Sequence, residues 1–140
     1  MIHEEIVTYE VAKLAKERGF NKEVFAYYDC DGDLAYVVSQ YRGNSINEIL
    51  VDKNKPNPIG AEYTSAPTQS LLQRWLREEK NIHIEIVATA SGYFWIADKV
   101  NGTAITDSDI LDRGINEGGC WDTYELALED ALKYSLENLV

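Results

Sequence analysis

Asp29-Cys30-Asp31-Gly32-Asp33 sets a carboxylate at every second position, the spacing with which a calcium-binding loop begins. Such a loop then requires glycine at its sixth position and glutamate at its twelfth, where this chain has Leu34 and Gln40. The pentapeptide therefore reads as a hairpin tip, and no metal is expected there. Asp107, Asp109 and Asp112 are loosely spaced in a segment that reads as loop and carry no stronger signal. Zinc and nucleophilic chemistry are poorly supplied. The chain has two histidines, His3 and His83, and two cysteines, Cys30 and Cys120, in no C-x-x-C arrangement. The cysteines read as free thiols, and His83 as a solvent-facing strand residue beside Glu85. No Gly-x-Ser-x-Gly elbow presents a serine, and neither phosphate-binding glycine motif is present. Two carboxylates that meet in space could still form an acid–base pair, but nothing singles one out among 24 acids. No catalytic residue and no cofactor are expected.

Two polar groupings remain. Gln73, Arg74 and Arg77 cluster on one side of a helix in an otherwise acidic chain, suiting a phosphate, a carboxylate or an acidic partner. The ordinary alternative is salt bridging to a neighbour such as Glu78. The second grouping is acidic. Net charge is −11, from 24 acids and 13 bases, and Asp107 to Glu137 holds nine acids against two bases. Asp122, Glu129, Asp130 and Glu137 form the candidate acidic face. Such a bias ordinarily serves solubility, and here it also offers a surface for a basic partner. It opposes direct nucleic-acid binding, which relies on positive charge. Nine tyrosines and three tryptophans add contact area suited to an interface, although most read as core.

These residues must be held by local structure, and the pattern gives three helices. Tyr9 to Arg18 has Thr8 as N-cap, an apolar stripe at Val11, Leu14 and Ala15, and a Gly19-Phe20 exit. Pro67 to Lys80 places Leu71, Leu72, Trp75 and Leu76 on one arc and ends at Asn81. Thr123 to Leu139 follows an Asp122/Glu125 capping pair and buries Tyr124, Leu128, Ala131, Leu132, Leu136 and Leu139, leaving Leu126 outside. Val24–Tyr28 and Leu34–Ser39 form a hairpin about Asp31-Gly32. Ile82 to Ile86 alternates, Ser91-Gly92 turns into Tyr93–Val100, and Asn101-Gly102 turns into Thr103–Thr106. Between them lies a long connection, Tyr41 to Ala66, with a possible strand at Ser45–Val51. A second runs from Asp107 to Gly119. The expected fold is α+β: one domain over 1–140, an antiparallel sheet of about four to five strands, in the order α-β-β-α-β-β-β-α.

No stretch approaches the ~18 apolar residues of a membrane span, and the N-terminus lacks the pattern of a secretory signal, so no membrane role is expected. The run Ala66-Pro67-Thr68-Gln69-Ser70-Leu71-Leu72-Gln73-Arg74-Trp75-Leu76-Arg77-Glu78 resembles a helix found in a group of small, uncharacterised bacteriophage and prophage proteins. Ile82-His83-Ile84, the Asp122 to Glu129 segment and the Ala12 to Phe20 helix with its Gly-Phe exit are similar to theirs as well. Arg74 stands where those proteins usually carry lysine, which keeps the charge. The resemblance implies an accessory protein in the cytoplasm of a bacterial host and brings no activity with it.

The leading functional expectation is thus a non-enzymatic module that binds a host or phage protein. Inhibition of a host defence by an acidic, nucleic-acid-like surface is its special case. The alternative is sequestration of a nucleotide signal by Arg74, Arg77 and stacking aromatics. A hydrolase built on paired carboxylates ranks last. The oligomeric state stays open, a homodimer included.

Overall fold

Thr8 opens the first helix, α1 (Tyr9–Glu17), by accepting from the Val11 amide at 3.4 Å. Its exit is a Schellman turn: Gly19, at φ +92°, donates to the Lys16 carbonyl at 3.1 Å, and Phe20 donates to Ala15 at 2.9 Å. Phe20 is buried, and the helix lays Val11, Ala12 and Ala15 on the same core. Both ends follow the sequence reading because capping is local chemistry. The computed structural model describes residues 3–37, 40–42, 45–47, 51–55, 62–100, 112–114 and 120–140. Its contacts divide the chain into two compact units, Ile6–Thr68 and Met1–Glu5 with Gln69–Val140.

In the first of these units, β1 (Ala26–Tyr28) pairs antiparallel with β2 (Leu34–Tyr36) through the Asp29–Asp33 turn. The Asp29 carboxylate caps that turn, accepting from the amides of Asp31 at 2.9 Å and Asp33 at 3.0 Å. Gly32, at φ +82°, lies under the Tyr9 ring, where a Cβ would come within 3.1 Å. The hairpin tip is therefore a built turn. β3 (Gln40–Arg42) and β4 (Ser45–Asn47) form a separate hairpin, while β5 (Thr64–Ser65) joins the far side of β1. The stretch from Tyr41 to Ala66 thus holds more strand than its pattern suggests. β5 is short, and its buried side chains are a threonine and a serine, so its pairing depends on a partner about 37 residues earlier, Tyr27–Tyr28.

The second unit contains α2 (Gln69–Lys80), β6 (Ile82–Thr89), β7 (Gly92–Lys99), β8 (Asp112–Gly114) and α3 (Tyr124–Asn138). The ladder runs β6-β7-β8 and is antiparallel. Register places Ile84 opposite Ala97 and Ile86 opposite Trp95, so the alternating isoleucines share a face with the core tryptophan. Trp95, Ala97 and Ala131 form the centre of this core, with Ile84, Ile86 and Tyr134 packed against it. His83 and Glu85 lie exposed on the other face, as the alternation predicts.

Three expectations are corrected here. α2 begins at Gln69 rather than Pro67, because the Pro67 carbonyl accepts from Val7 at 3.0 Å and Thr68 pairs with Ile6. The α3 cap is Thr123, whose hydroxyl accepts from Leu126 at 3.1 Å, rather than Asp122 one residue earlier. Tyr124 is 43% exposed, since it stands on the first turn of α3 beyond the sheet's core. The α+β class with antiparallel pairing holds, and among the described residues there are three helices, with the strands divided among ladders of three, two and three. Asn101-Gly102 and Thr103–Thr106 lie outside the described residues. The strand on the side of β7 away from β6 is Asp112–Gly114, which takes Asp112 out of the expected loop. Among the described residues no helix is long and apolar enough to cross a membrane.

Candidate functional site: a glutamate-lined cleft

The start of α2 is a meeting point within the second unit. Helix starts present unpaired amides and the positive end of the helix dipole, and α2 has no acid in its own first turn. The chain supplies acid from elsewhere. Residues 3–5 run past the helix start, where the Gln69 amide donates to the Glu5 carbonyl at 2.8 Å. Glu4 accepts from the Ser70 hydroxyl at 3.0 Å. The Gln69 side chain is 5% exposed and crosses to α3, where its Nε2 donates to the Glu125 carbonyl and to Glu129 Oε2, both at 2.9 Å. Gln73, one turn on, donates from Nε2 to the Ile84 carbonyl at 3.1 Å and ties α2 to β6.

These contacts border an open cleft of about 160 Å³, floored by Gln69 and Leu128 and rimmed by His3, Glu4, Glu5, Tyr124 and Glu125. The three glutamates are exposed at the rim, while the floor amide is buried. Pockets for drug-sized ligands span roughly 300–1,000 Å³, so this one suits a side-chain head group. Glutamate residues lining an apolar and amide floor favour a guanidinium or an ammonium, whose methylene stem can lie on Leu128 and Tyr124.

The residues singled out from sequence fall into different places. Gln73 reaches this cleft but spends its amide on β6. Arg74 pairs with Glu78 at 2.9 Å on the exposed side of α2, the ordinary alternative noted for it. Arg77 is exposed on that same helix and does not line this cleft. Of the acidic face, Asp122 and Glu137 are exposed. Glu129 is half-buried on Gln69, and Asp130 accepts from the buried Trp95 indole at 2.8 Å. Sequence reasoning missed Glu4, Glu5 and Gln69 as site residues, and took Glu125 as a cap partner and as one of the nine acids between Asp107 and Glu137. The one legible signal was the acid-free first turn of α2.

A second cleft, of about 520 Å³, lies in the other unit beside the α1 exit, lined by Lys16, Phe20, Asn21, Asp52, Asn54 and Lys55. Its polar groups are largely engaged. Lys16 donates to the Tyr63 carbonyl at 2.8 Å, and Asn54 bridges the Phe20 carbonyl and the Ser65 amide. The negative end of α1 and Asp52 also point there, which weighs against an anionic nucleotide despite the two lysines. At the hairpin tip, Asp29, Asp31 and Asp33 bring carboxylate oxygens within 4.8 Å of one another, with Asp29 already bonded to two amides. No protein-family profile, no curated protein and no solved structure matches the chain.

Proposed function

We propose that this chain is a non-enzymatic protein-binding module that takes a lysine or arginine side chain of a basic partner into the glutamate-lined cleft. The observation that supports it is the convergence of Glu4, Glu5 and Glu125 on one cleft floored by the buried Gln69 amide, an acidic lining that suits a cation and opposes an anionic nucleotide. The net charge of −11 adds long-range attraction, which raises the rate of encounter with a basic protein and falls with salt. Resemblance of the α2 segment to phage and prophage proteins points to a host or phage protein as the partner. A host defence protein that ordinarily grips nucleic acid is the special case, because its basic surface would meet carboxylates in place of phosphates.

The test is retention of proteins from bacterial lysate on the immobilised chain across a salt gradient, with a thermal-shift screen of linear and cyclic nucleotides beside it. The expected result is a basic protein held at low ionic strength and released as salt rises, with no nucleotide changing the melting temperature. A nucleotide that raises the melting temperature, with no protein retained, would favour signal sequestration instead.

A further inference from the structure

We infer that the outer edge of β2 is a second docking surface, which receives an extended, basic segment of a partner protein by strand addition. In the sheet β2-β1-β5, strand β2 is terminal, and among the described residues no strand pairs with its outer side. The phase of the ladder is fixed by two bonds: Val37 donates to Phe25 at 2.7 Å and Asp29 to Asp33 at 3.0 Å. Hydrogen-bonded pairs alternate in an antiparallel ladder, so Asp33, Ala35 and Val37 turn their amides toward β1. The N–H and C=O groups of Leu34 and Tyr36 therefore point away from the sheet.

The side chains at this edge are apolar and uncovered. Leu34 is 41% exposed and Tyr36 59%, and Phe25, 39% exposed, stacks on Tyr36 with ring planes 7° apart. Natural edges are commonly guarded by lysine, proline, a bulge or an inward charge. Leu34-Ala35-Tyr36 has none of these. An extended peptide gains main-chain bonds from such an edge and selectivity from alternate side chains.

Charge chooses the occupant. The carboxylates of Asp29, Asp31 and Asp33 gather at the Leu34 end of the strand. A partner segment with lysine or arginine at that end, and apolar residues over Leu34 and Tyr36, matches both features. A second copy of this chain would bring another −11 and another acidic tip, so it is the poorer match.

The probe is a fluorescein-labelled peptide, Lys-Arg-Val-Thr-Val-Thr-Val, titrated by anisotropy, with amide hydrogen exchange of the whole chain followed by NMR. Bound peptide should slow exchange at Leu34 and Tyr36 about tenfold or more and leave Ala35, already bonded to β1, little changed. Tyr36→Pro should weaken binding about fivefold beyond Tyr36→Ala, since both lose the ring and only proline loses the outward amide. Asp31→Asn should weaken it further and reduce its salt dependence. Peptide binding with unchanged exchange at Leu34 and Tyr36, or equal losses for the two Tyr36 variants, would overturn the proposal. So would slowing of those amides by raised protein concentration alone, which would assign the edge to a second copy.

Discussion

The indole Nε1 of Trp95 donates to Asp130 Oδ2 at 2.8 Å, joining the largest fully buried side chain of the β6-β7-β8 sheet to an acid on α3. Asp130 is half-buried, so its role is to satisfy a donor inside the core. Charge reversal at this position would damage folding before it tested any surface. Asp130→Ala should cost about 1–3 kcal/mol in urea denaturation by orphaning the Trp95 N–H, while Asp130→Asn keeps an acceptor and should cost less.

Ser135 offers the opposite case. It is fully buried on α3, and its hydroxyl finds no hydrogen-bond partner among the described residues. Ser135→Ala removes an unsatisfied polar atom and inserts a better helix former. Stability should rise by roughly 1 kcal/mol, read as a higher denaturation midpoint at unchanged slope.

Gly92 and Gly19 both hold positive φ, yet they should respond differently. At Gly92, φ is +137° and a Cβ would run into the Trp121 carbonyl, which pairs with the Tyr93 amide at 2.8 Å. At Gly19 nothing lies within 4 Å of an added Cβ. Gly19→Ala should cost about 1 kcal/mol from backbone strain alone, and Gly92→Ala upwards of ~3 kcal/mol through strain plus collision. Thermal melts of the two variants give the order directly.

Legibility from sequence followed the range of the interactions. Thr8, Gly19 and the Ile82 to Ile86 alternation act within a few residues, and each is found where local chemistry puts it. Asp122 and Thr123 are both competent caps in adjacent positions, so the sequence alone does not separate them. Pro67 falls outside α2 because its carbonyl is claimed by Val7, some 60 residues away in the chain. The Thr64–Ser65 strand has no apolar pattern and exists through its pairing with β1. The candidate cleft was the least legible part, because it joins Glu4 and Glu5 to Gln69 and Glu125 across most of the chain's length. The Arg74–Glu78 pair shows the reverse: an i,i+4 contact visible in the sequence and present in the fold.

The cleft's own architecture makes a separate prediction. Gln69→Leu keeps the size of the buried side chain but removes the bonds to the Glu125 carbonyl and Glu129. It leaves the Glu129 carboxylate without that donor, so stability should fall by about 1–3 kcal/mol. Affinity for a basic partner should fall with it, because the α2–α3 spacing that shapes the floor is no longer fixed. Gln69→Glu would place a further acid against Glu129 and should be worse than leucine.

Net charge and site geometry are separated most directly by two double variants of equal charge. Glu5→Gln with Glu125→Gln removes cleft carboxylates, and Glu17→Gln with Glu23→Gln removes exposed ones elsewhere, each moving the net charge from −11 to −9. Affinity for a labelled peptide rich in arginine and lysine is measured for both by anisotropy at ~0.15 M salt. The cleft pair should weaken binding about fivefold, with the other pair within a factor of two of the unaltered chain. Equal losses in the two would mean that the charge is read as a whole and that the cleft holds nothing.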